Sequence, residues 1–110
     1  KSYLYVQDCI DAMLIAVDKA TDKVNILNLG VDGHCQVNDS IGWICEELGV
    51  EPKLDYEGGE RGWIGDNPFI HLDTRRIQSL GWQPTVSIRD GVIKTVQFLR
   101  EHEWVFQVRD

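Results

Sequence analysis

Two short apolar segments, with an amphipathic segment between them, do most to restrict what this chain can fold into. Residues 3–6 (YLYV) are aromatic and β-branched and predict a short strand. Residues 24–29 (VNILNL) alternate imperfectly between apolar and polar side chains and predict a second strand. Between them, apolar side chains recur at helical spacing over residues 8–19, with Asp8 as the expected N-cap. Residues 1–30 therefore predict a strand, a helix and a strand.

The rest of the chain is mainly helical in its pattern. Helices are predicted over residues 37–48, about 74–80, and 88 to about 102. A short strand is predicted over residues 69–72, just before the third helix.

Capping residues support these helix starts. Asp73 is the expected N-cap of the third helix, and Ser87 with Asp90 has capping-box spacing before the fourth. The cap of the second helix is open between Gln36 and Asn38.

The alternation of strands and helices predicts the α/β class, with about four helices and a few short strands. So few strands cannot close a sheet of their own. An isolated pair would leave strand edges and an apolar face exposed. We therefore expect a longer parent protein that supplies the remaining strands, or a homodimer in which the chain pairs with a second copy of itself.

Charge and hydropathy exclude two classes of partner. The chain carries 18 acidic and 11 basic residues, a net charge of −7, and a field of that sign repels nucleic acid and anionic membrane surfaces. A membrane helix needs about 18 or more consecutive apolar residues, and no such run occurs. We expect neither nucleic acid nor a membrane as a partner.

The cysteines indicate a reduced compartment. Cys9, Cys35 and Cys45 are odd in number and form no CxxC pair, as is typical of packing thiols in a cytoplasmic protein. No His or Cys pair has metal-ligand spacing, so no metal site is predicted.

A glycine-dense segment over residues 58–66 (GGERGWIGD) is the best candidate for a binding loop. Its glycines would let the backbone approach a ligand closely and adopt positive φ. On the residues alone, the alternative is a solvated surface loop with one exposed arginine, Arg61. Trp63 either stacks on a base or sugar face or fastens the loop to the core.

Four segments in order resemble the extended short-chain dehydrogenase/reductase family, in particular its UDP-glucose 4-epimerase group. Residues 1–8 (KSYLYVQD) are similar to the family block R-x-[YF]-[IV]-[HY]-V-x-D, and residues 25–30 (NILNLG) to its strand-and-turn xNIGxG. Residues 61–66 (RGWIGD) are similar to its substrate loop. Residues 72–84 (LDTRRIQSLGWQP) are similar to xDxSKLxxxLGWxP. The resemblance covers nearly the whole chain.

The resemblance implies that this chain is the carboxy-terminal substrate-binding portion, with the Rossmann half absent. Residues 1–30 would complete the parent's nucleotide-binding sheet, and residues 31–110 would form the helical substrate-binding part. The family's GxxGxxG cofactor turn and its YxxxK catalytic pair do not occur here. NAD would therefore belong to the parent's missing N-terminal Rossmann domain, and this chain alone would neither bind a cofactor nor catalyse.

Four site residues follow from the resemblance. Arg61 would grip the diphosphate of a nucleotide sugar, because a guanidinium fork matches phosphate oxygens. Asp66 corresponds to the family carboxylate that accepts hydrogen bonds from ribose hydroxyls. Lys1 stands where the family usually has an arginine that also reaches the diphosphate. Trp63, in the same loop, is the fourth.

Three functions remain open. The first is the nucleotide-sugar-binding portion of an NAD-dependent epimerase, an isomerase that acts on a UDP-sugar at C4. The second keeps the family but changes the reaction to a 4,6-dehydratase or a reductase. The third is a stand-alone binding module with no enzymatic parent.

Overall fold

The structure is a computed structural model, which describes residues 1–59, 62, 65–66 and 69–108. Within these residues the regular elements are four α-helices and one 3₁₀ turn. The helices are α1 (Val6–Lys19), α2 (Val37–Leu48), α3 (Arg75–Ser79) and α4 (Ile88–Glu101), and the 3₁₀ turn covers Glu103–Phe106. The four predicted helices are confirmed in number and order.

α1 begins two residues earlier than predicted, because Asp8 is not its cap. Tyr5 is the N-cap, and its carbonyl accepts the first helical hydrogen bond from the Cys9 N–H at 3.2 Å. The Asp8 carboxylate accepts hydrogen bonds from Thr85 and Val86 instead. The prediction that Asp8 caps this helix is wrong.

The described residues contain no strand, so the strands predicted over residues 3–6, 24–29 and 69–72 are wrong. A strand is held by the backbone of a neighbouring strand. Within the described part of the chain, residues 24–29 make no backbone–backbone hydrogen bond. The Ile26 carbonyl accepts a hydrogen bond from the Arg76 guanidinium at 2.9 Å instead. The α/β prediction is therefore correct for its helices and not for its strands.

Residues 24–29 nevertheless keep the side-chain alternation of a strand. Leu27 and Leu29 pack against the core, whereas Val24 and Ile26 are 74% and 73% exposed. Because successive side chains of an extended chain point to opposite sides, one side of this segment is covered and the other is bare.

α2 and α4 pack against each other and have the predicted ends. Gln36 is the N-cap of α2, and its N–H donates to the Asp39 carboxylate at 2.8 Å. Gly49 ends this helix in the left-handed conformation with φ 66°, which favours glycine. The Ser87 hydroxyl caps α4 by accepting the Asp90 N–H at 3.1 Å.

α3 is short, and its cap lies one residue after the predicted one. Thr74, not Asp73, is the N-cap. The Asp73 carboxylate accepts the Arg75 N–H at 3.1 Å and also pairs with the Arg75 guanidinium. These hydrogen bonds from Arg75 lower the pKa of the exposed Asp73 carboxyl to about 2.

The buried core is small and lies where α1 meets α3. It consists of Ala12, Ile77 and Trp82, which are at most 2% exposed. Several half-buried side chains surround it, namely Leu4, Ile15, Ala16, Leu27, Leu29 and Leu80.

The chain exposes more surface than a compact monomer of its mass. Its accessible area is 8975 Å², whereas a folded 12.6 kDa monomer has about 6,200 Å². Its radius of gyration is 16.9 Å, against about 13 Å for a compact chain of this length. Roughly 2,800 Å² is therefore available for contact with another layer of structure.

α1 contributes apolar side chains to this extra surface. Its inner face packs on the core through Ala12. A second stripe at helical spacing is exposed, with Val6 at 61%, Met13 at 56% and Val17 at 86%. A helix with apolar stripes on two sides is typical of one packed between two layers.

The longest described helices have 14 residues, fewer than the roughly 20 that a membrane crossing needs. None of the described helices combines the length and the apolarity of a membrane span.

Candidate functional site

A cavity of 340 Å³ is lined by the N-terminal segment, by residues 29–31 and by Asp66, Ile70 and Leu72. Most of its wall is aliphatic and includes Leu4, Leu29 and Leu72. Polar side chains reach it from Lys1 and Asp66, which the sequence places 65 residues apart. This size and this mixture of a mostly apolar wall with a few polar groups suit a small ligand.

The Lys1 ammonium and the Asp66 carboxylate form an ion pair at the cavity. The two side chains are 29% and 19% exposed, so solvent screens the pair less than it screens a surface pair. Exposed pairs contribute about 0–1 kcal/mol to stability, and partial shielding strengthens the attraction.

The backbone fixes Lys1 in place. Lys1 and the buried Cys35 exchange two backbone hydrogen bonds, one of them from the Cys35 N–H to the Lys1 carbonyl at 2.7 Å. Exchange of both bonds is the pattern of a hydrogen-bonded antiparallel pair. The chain then runs through Leu4, at the cavity wall, into α1.

Asp66 ends the glycine-dense segment. Gly58 and Gly59 adopt positive φ angles of 79° and 107°, as the sequence predicts for at least some of these glycines. A Cβ added at Gly62 would lie 3.5 Å from Oδ2 of Asp66. The backbone of Gly62 therefore lies close to the Asp66 carboxylate.

Two of the four predicted site residues, Lys1 and Asp66, thus lie together at one cavity. The other two, Arg61 and Trp63, lie outside the described residues, so their assignment to the site stays a prediction. The family resemblance predicts that Lys1 and Asp66 contact different parts of a ligand. It does not predict that they pair with each other.

Behind the cavity, Asp8 joins the start of α1 to the segment between α3 and α4. Its side chain is 1% exposed. One carboxylate oxygen accepts the Thr85 N–H at 3.0 Å and the Thr85 hydroxyl at 2.8 Å, and the other accepts the Val86 N–H at 3.0 Å. The Asp8 carbonyl accepts the Trp82 indole N–H at 2.8 Å. We call this set of hydrogen bonds the Asp8 clamp.

The clamp keeps Asp8 ionised. Burial acts to raise the pKa of this carboxyl, but the hydrogen bonds from Thr85 and Val86 outweigh it and lower the pKa below 3.8. The sequence contained one signal of this role. Asp8 lies on the same helical face as Ala12 and Ile15, four and seven residues later, and a carboxylate on an apolar face requires buried donors.

Within residues 1–59, 62, 65–66 and 69–108, no group of three His, Cys, Asp or Glu side chains is arranged to hold a metal ion. Cys9, Cys35 and Cys45 are free thiols.

Comparison with known proteins places this site in context. No family model matches the chain. Three relatives illustrate its similarities. A Methanocaldococcus jannaschii protein that carries the provisional name UDP-glucose 4-epimerase is 26% identical over 102 residues, which are 93% of this chain and 32% of the relative. A trifunctional UDP-glucose 4,6-dehydratase, epimerase and reductase of Arabidopsis thaliana is 28% identical over 94% of this chain and 15% of its own length. GDP-L-fucose synthase 1 of the same plant is 27% identical over 86% of this chain and 28% of its own length.

The chain is a distant homologue of the extended short-chain dehydrogenase/reductase family. The resemblance of the chain to this family is thereby confirmed. This homologue spans about a third or less of the length of the curated relatives that it matches. The relatives are named for epimerases, dehydratases and reductases, so homology fixes the family and not the reaction.

The family's cofactor is NAD, and the described residues of this homologue do not fit it. Folds of this type hold the pyrophosphate of a dinucleotide on a glycine-rich turn between a strand and a helix. The described helices begin instead at four N-caps without such a turn, namely Tyr5, Gln36, Thr74 and Ser87. We therefore assign no dinucleotide contact to these residues.

Proposed function

We propose that this chain is the nucleotide-sugar-binding portion of an NAD-dependent sugar-nucleotide epimerase and that it is not catalytic by itself. It would hold the diphosphate and the ribose of a UDP-sugar while a separate part of the enzyme changes the configuration at C4. The single observation that carries this proposal is the cavity with the Lys1–Asp66 ion pair in a homologue of nucleotide-sugar enzymes.

The ligand would replace the ion pair by two better-matched sets of contacts. A diphosphate would take the Lys1 ammonium, and ribose hydroxyls would donate to the Asp66 carboxylate, which can only accept. Neither charge would be left without a partner, so opening the pair would cost little. Arg61 would add a bidentate contact to the diphosphate, and Trp63 would cover the base or the sugar.

The proposed partner is an N-terminal Rossmann domain. Residues 1–30 would complete its sheet, and residues 31–110 would form the substrate-binding helical part. One support is that residues 24–29 make no backbone–backbone hydrogen bond within the described part of the chain. The others are the exposed apolar stripe on α1 and the roughly 2,800 Å² of extra surface. NAD, which accepts and returns a hydride, would be bound by that domain together with the tyrosine and lysine of the YxxxK pair.

A second candidate keeps the site and changes the reaction to a 4,6-dehydratase or a reductase. The name of the trifunctional Arabidopsis relative, which includes a 4,6-dehydratase and a reductase, favours it. The contacts proposed for this chain concern the diphosphate and ribose, which the substrates of all these enzymes share, so they do not separate the reactions. A stand-alone module without an enzymatic parent would bind no nucleotide sugar.

Titration calorimetry of the 110-residue chain with UDP and UDP-glucose tests the proposal. One charge-assisted hydrogen bond contributes about 1.5–3 kcal/mol, so Arg61→Ala should weaken binding roughly 10- to 150-fold. Arg89→Ala is the matched control, because Arg89 pairs with Glu46 at the exposed surface of α2 and α4. Binding that is equal in wild type and Arg61→Ala would remove Arg61 from the site, and absence of UDP binding would refute the proposed function.

A further inference from the structure

The two walls of the cavity extend from elements that the Asp8 clamp joins. One wall is formed by residues 1–4, which lead directly into the first turn of α1. The other includes Asp66 and Leu72, and from there the chain enters α3 and reaches Trp82. The clamp connects Asp8 in that first turn to Trp82 and to the two residues that follow Pro84.

We infer that Asp8 and Thr85 are positioning residues for the ligand site, because they set the distance between the Lys1 wall and the Asp66 wall. This inference rests on the proposed function for the identity of the ligand and on the geometry alone for the role of the clamp. Neither residue lines the cavity, so neither touches the ligand.

Contacts among the described residues attach the wall that carries Lys1 to the rest of the chain. Lys1 is held by the Asp66 ion pair and by its backbone bonds to Cys35. Leu4 packs on the core beside Trp82. Loosening the clamp would let the first turn of α1 and residues 1–4 shift together, and Lys1 and Asp66 would then no longer be held at the spacing at which one ligand contacts both.

Thr85 offers the cleaner substitution, because Thr85→Val removes one hydroxyl from the clamp and keeps the side-chain shape. Thr95→Val is the matched control. The Thr95 hydroxyl also makes a single 2.8 Å hydrogen bond, to the Gly91 carbonyl inside α4, and does not reach the cavity. Thr85→Ser, which keeps the hydroxyl, is the rescue variant.

Two readouts are compared at a temperature where circular dichroism shows every variant fully folded. The first is UDP affinity by calorimetry. The second needs no ligand: it is the rate at which a thiol reagent modifies Cys35, measured with Cys9 and Cys45 replaced by Ala. Cys35 is 6% exposed and holds Lys1 through the backbone, so movement of that wall exposes its thiol.

In Thr85→Val we expect UDP affinity to fall about three- to tenfold and Cys35 modification to accelerate by a similar factor. Thr95→Val should change neither quantity, and Thr85→Ser should restore both. Unchanged Cys35 reactivity in Thr85→Val, or an equal change in Thr95→Val, would overturn the inference. If wild type binds no UDP, the proposed function fails. The rates of Cys35 modification alone then decide whether the clamp fixes the position of the wall that carries Lys1.

Discussion

Removal of the buried Asp8 carboxylate should destabilise the chain more than removal of an exposed carboxylate. Asp8→Ala deletes the acceptor of three hydrogen bonds, from the Thr85 N–H, the Thr85 hydroxyl and the Val86 N–H. A buried donor left without a partner costs about 1–3 kcal/mol. Thr85 is itself exposed and Val86 half-buried, so water can reach part of this set. The expected loss in the free energy of unfolding is therefore about 2–4 kcal/mol.

Asp8→Asn removes the negative charge but keeps one of the two acceptor oxygens. The amide oxygen can replace the carboxylate oxygen that serves Thr85, but the amide N–H₂ then faces the Val86 N–H, and two donors meet. The expected loss is about 1–2 kcal/mol, smaller than for Asp8→Ala.

Urea unfolding monitored by circular dichroism measures both losses. With a slope of about 1–3 kcal/mol per molar urea, Asp8→Ala should lower the midpoint by roughly 0.7–4 M. Asp11→Asn, on the exposed side of the same helix, removes a surface charge but keeps an oxygen that can accept the hydrogen bond from Gln7, and it should cost less than about 0.5 kcal/mol. An Asp8→Ala midpoint within error of wild type would refute the clamp as a stabilising device. A lower urea midpoint for Asp8→Asn than for Asp8→Ala would contradict the expectation that the Asn oxygen still accepts the hydrogen bonds from Thr85.

The remaining predictions concern pH and two glycines. The folded state lowers the pKa of Asp8 and Asp73, so their contribution to stability is present above the unfolded pKa of about 3.8 and is lost as pH falls below it. The urea midpoint of wild type should therefore drop between pH 5 and pH 2, and that of Asp8→Asn should drop less; parallel pH curves would contradict the assignment. Gly49→Ala should lower the free energy of unfolding by about 1 kcal/mol because φ is 66° there, whereas Gly42→Ala, inside α2 with open space at its Cβ, should raise it by about 0.5–1 kcal/mol. Thermal unfolding of the two variants checks the opposite signs.

The sequence was informative where structure depends on neighbours along the chain. The helical spacing of apolar residues predicted α2 with its observed bounds, and the stop at Gly49 followed from glycine's tolerance of the left-handed conformation. The Ser87–Asp90 cap was predicted for the same reason. These features depend on residues within four positions of each other.

The sequence was uninformative where structure depends on distant residues. An Asp at position 8 before a helix predicts a cap, and nothing local shows that Thr85 and Val86 supply donors to it from 77 and 78 positions away. Likewise, the family resemblance predicts Lys1 and Asp66 as site residues independently of each other. Nothing near either residue in the sequence predicts that they form a pair. Burial and long-range hydrogen bonding, not helix propensity, decided both outcomes.

The incorrect strand predictions and the excess surface have one physical explanation under the proposed function. Residues 24–29 have the alternation of a strand and anchor one side on the core through Leu27 and Leu29, yet within the described residues they make no backbone–backbone hydrogen bond. A strand on a Rossmann sheet would supply a backbone partner, and the layer behind it would cover Val24 and Ile26. A second copy of this chain would have to bring its own unpaired segment and a like net charge of −7, which opposes close association. Under the proposed function, a heterologous domain would supply both the neighbouring strand and the apolar layer, whereas the like charge of a second copy would oppose the homodimer.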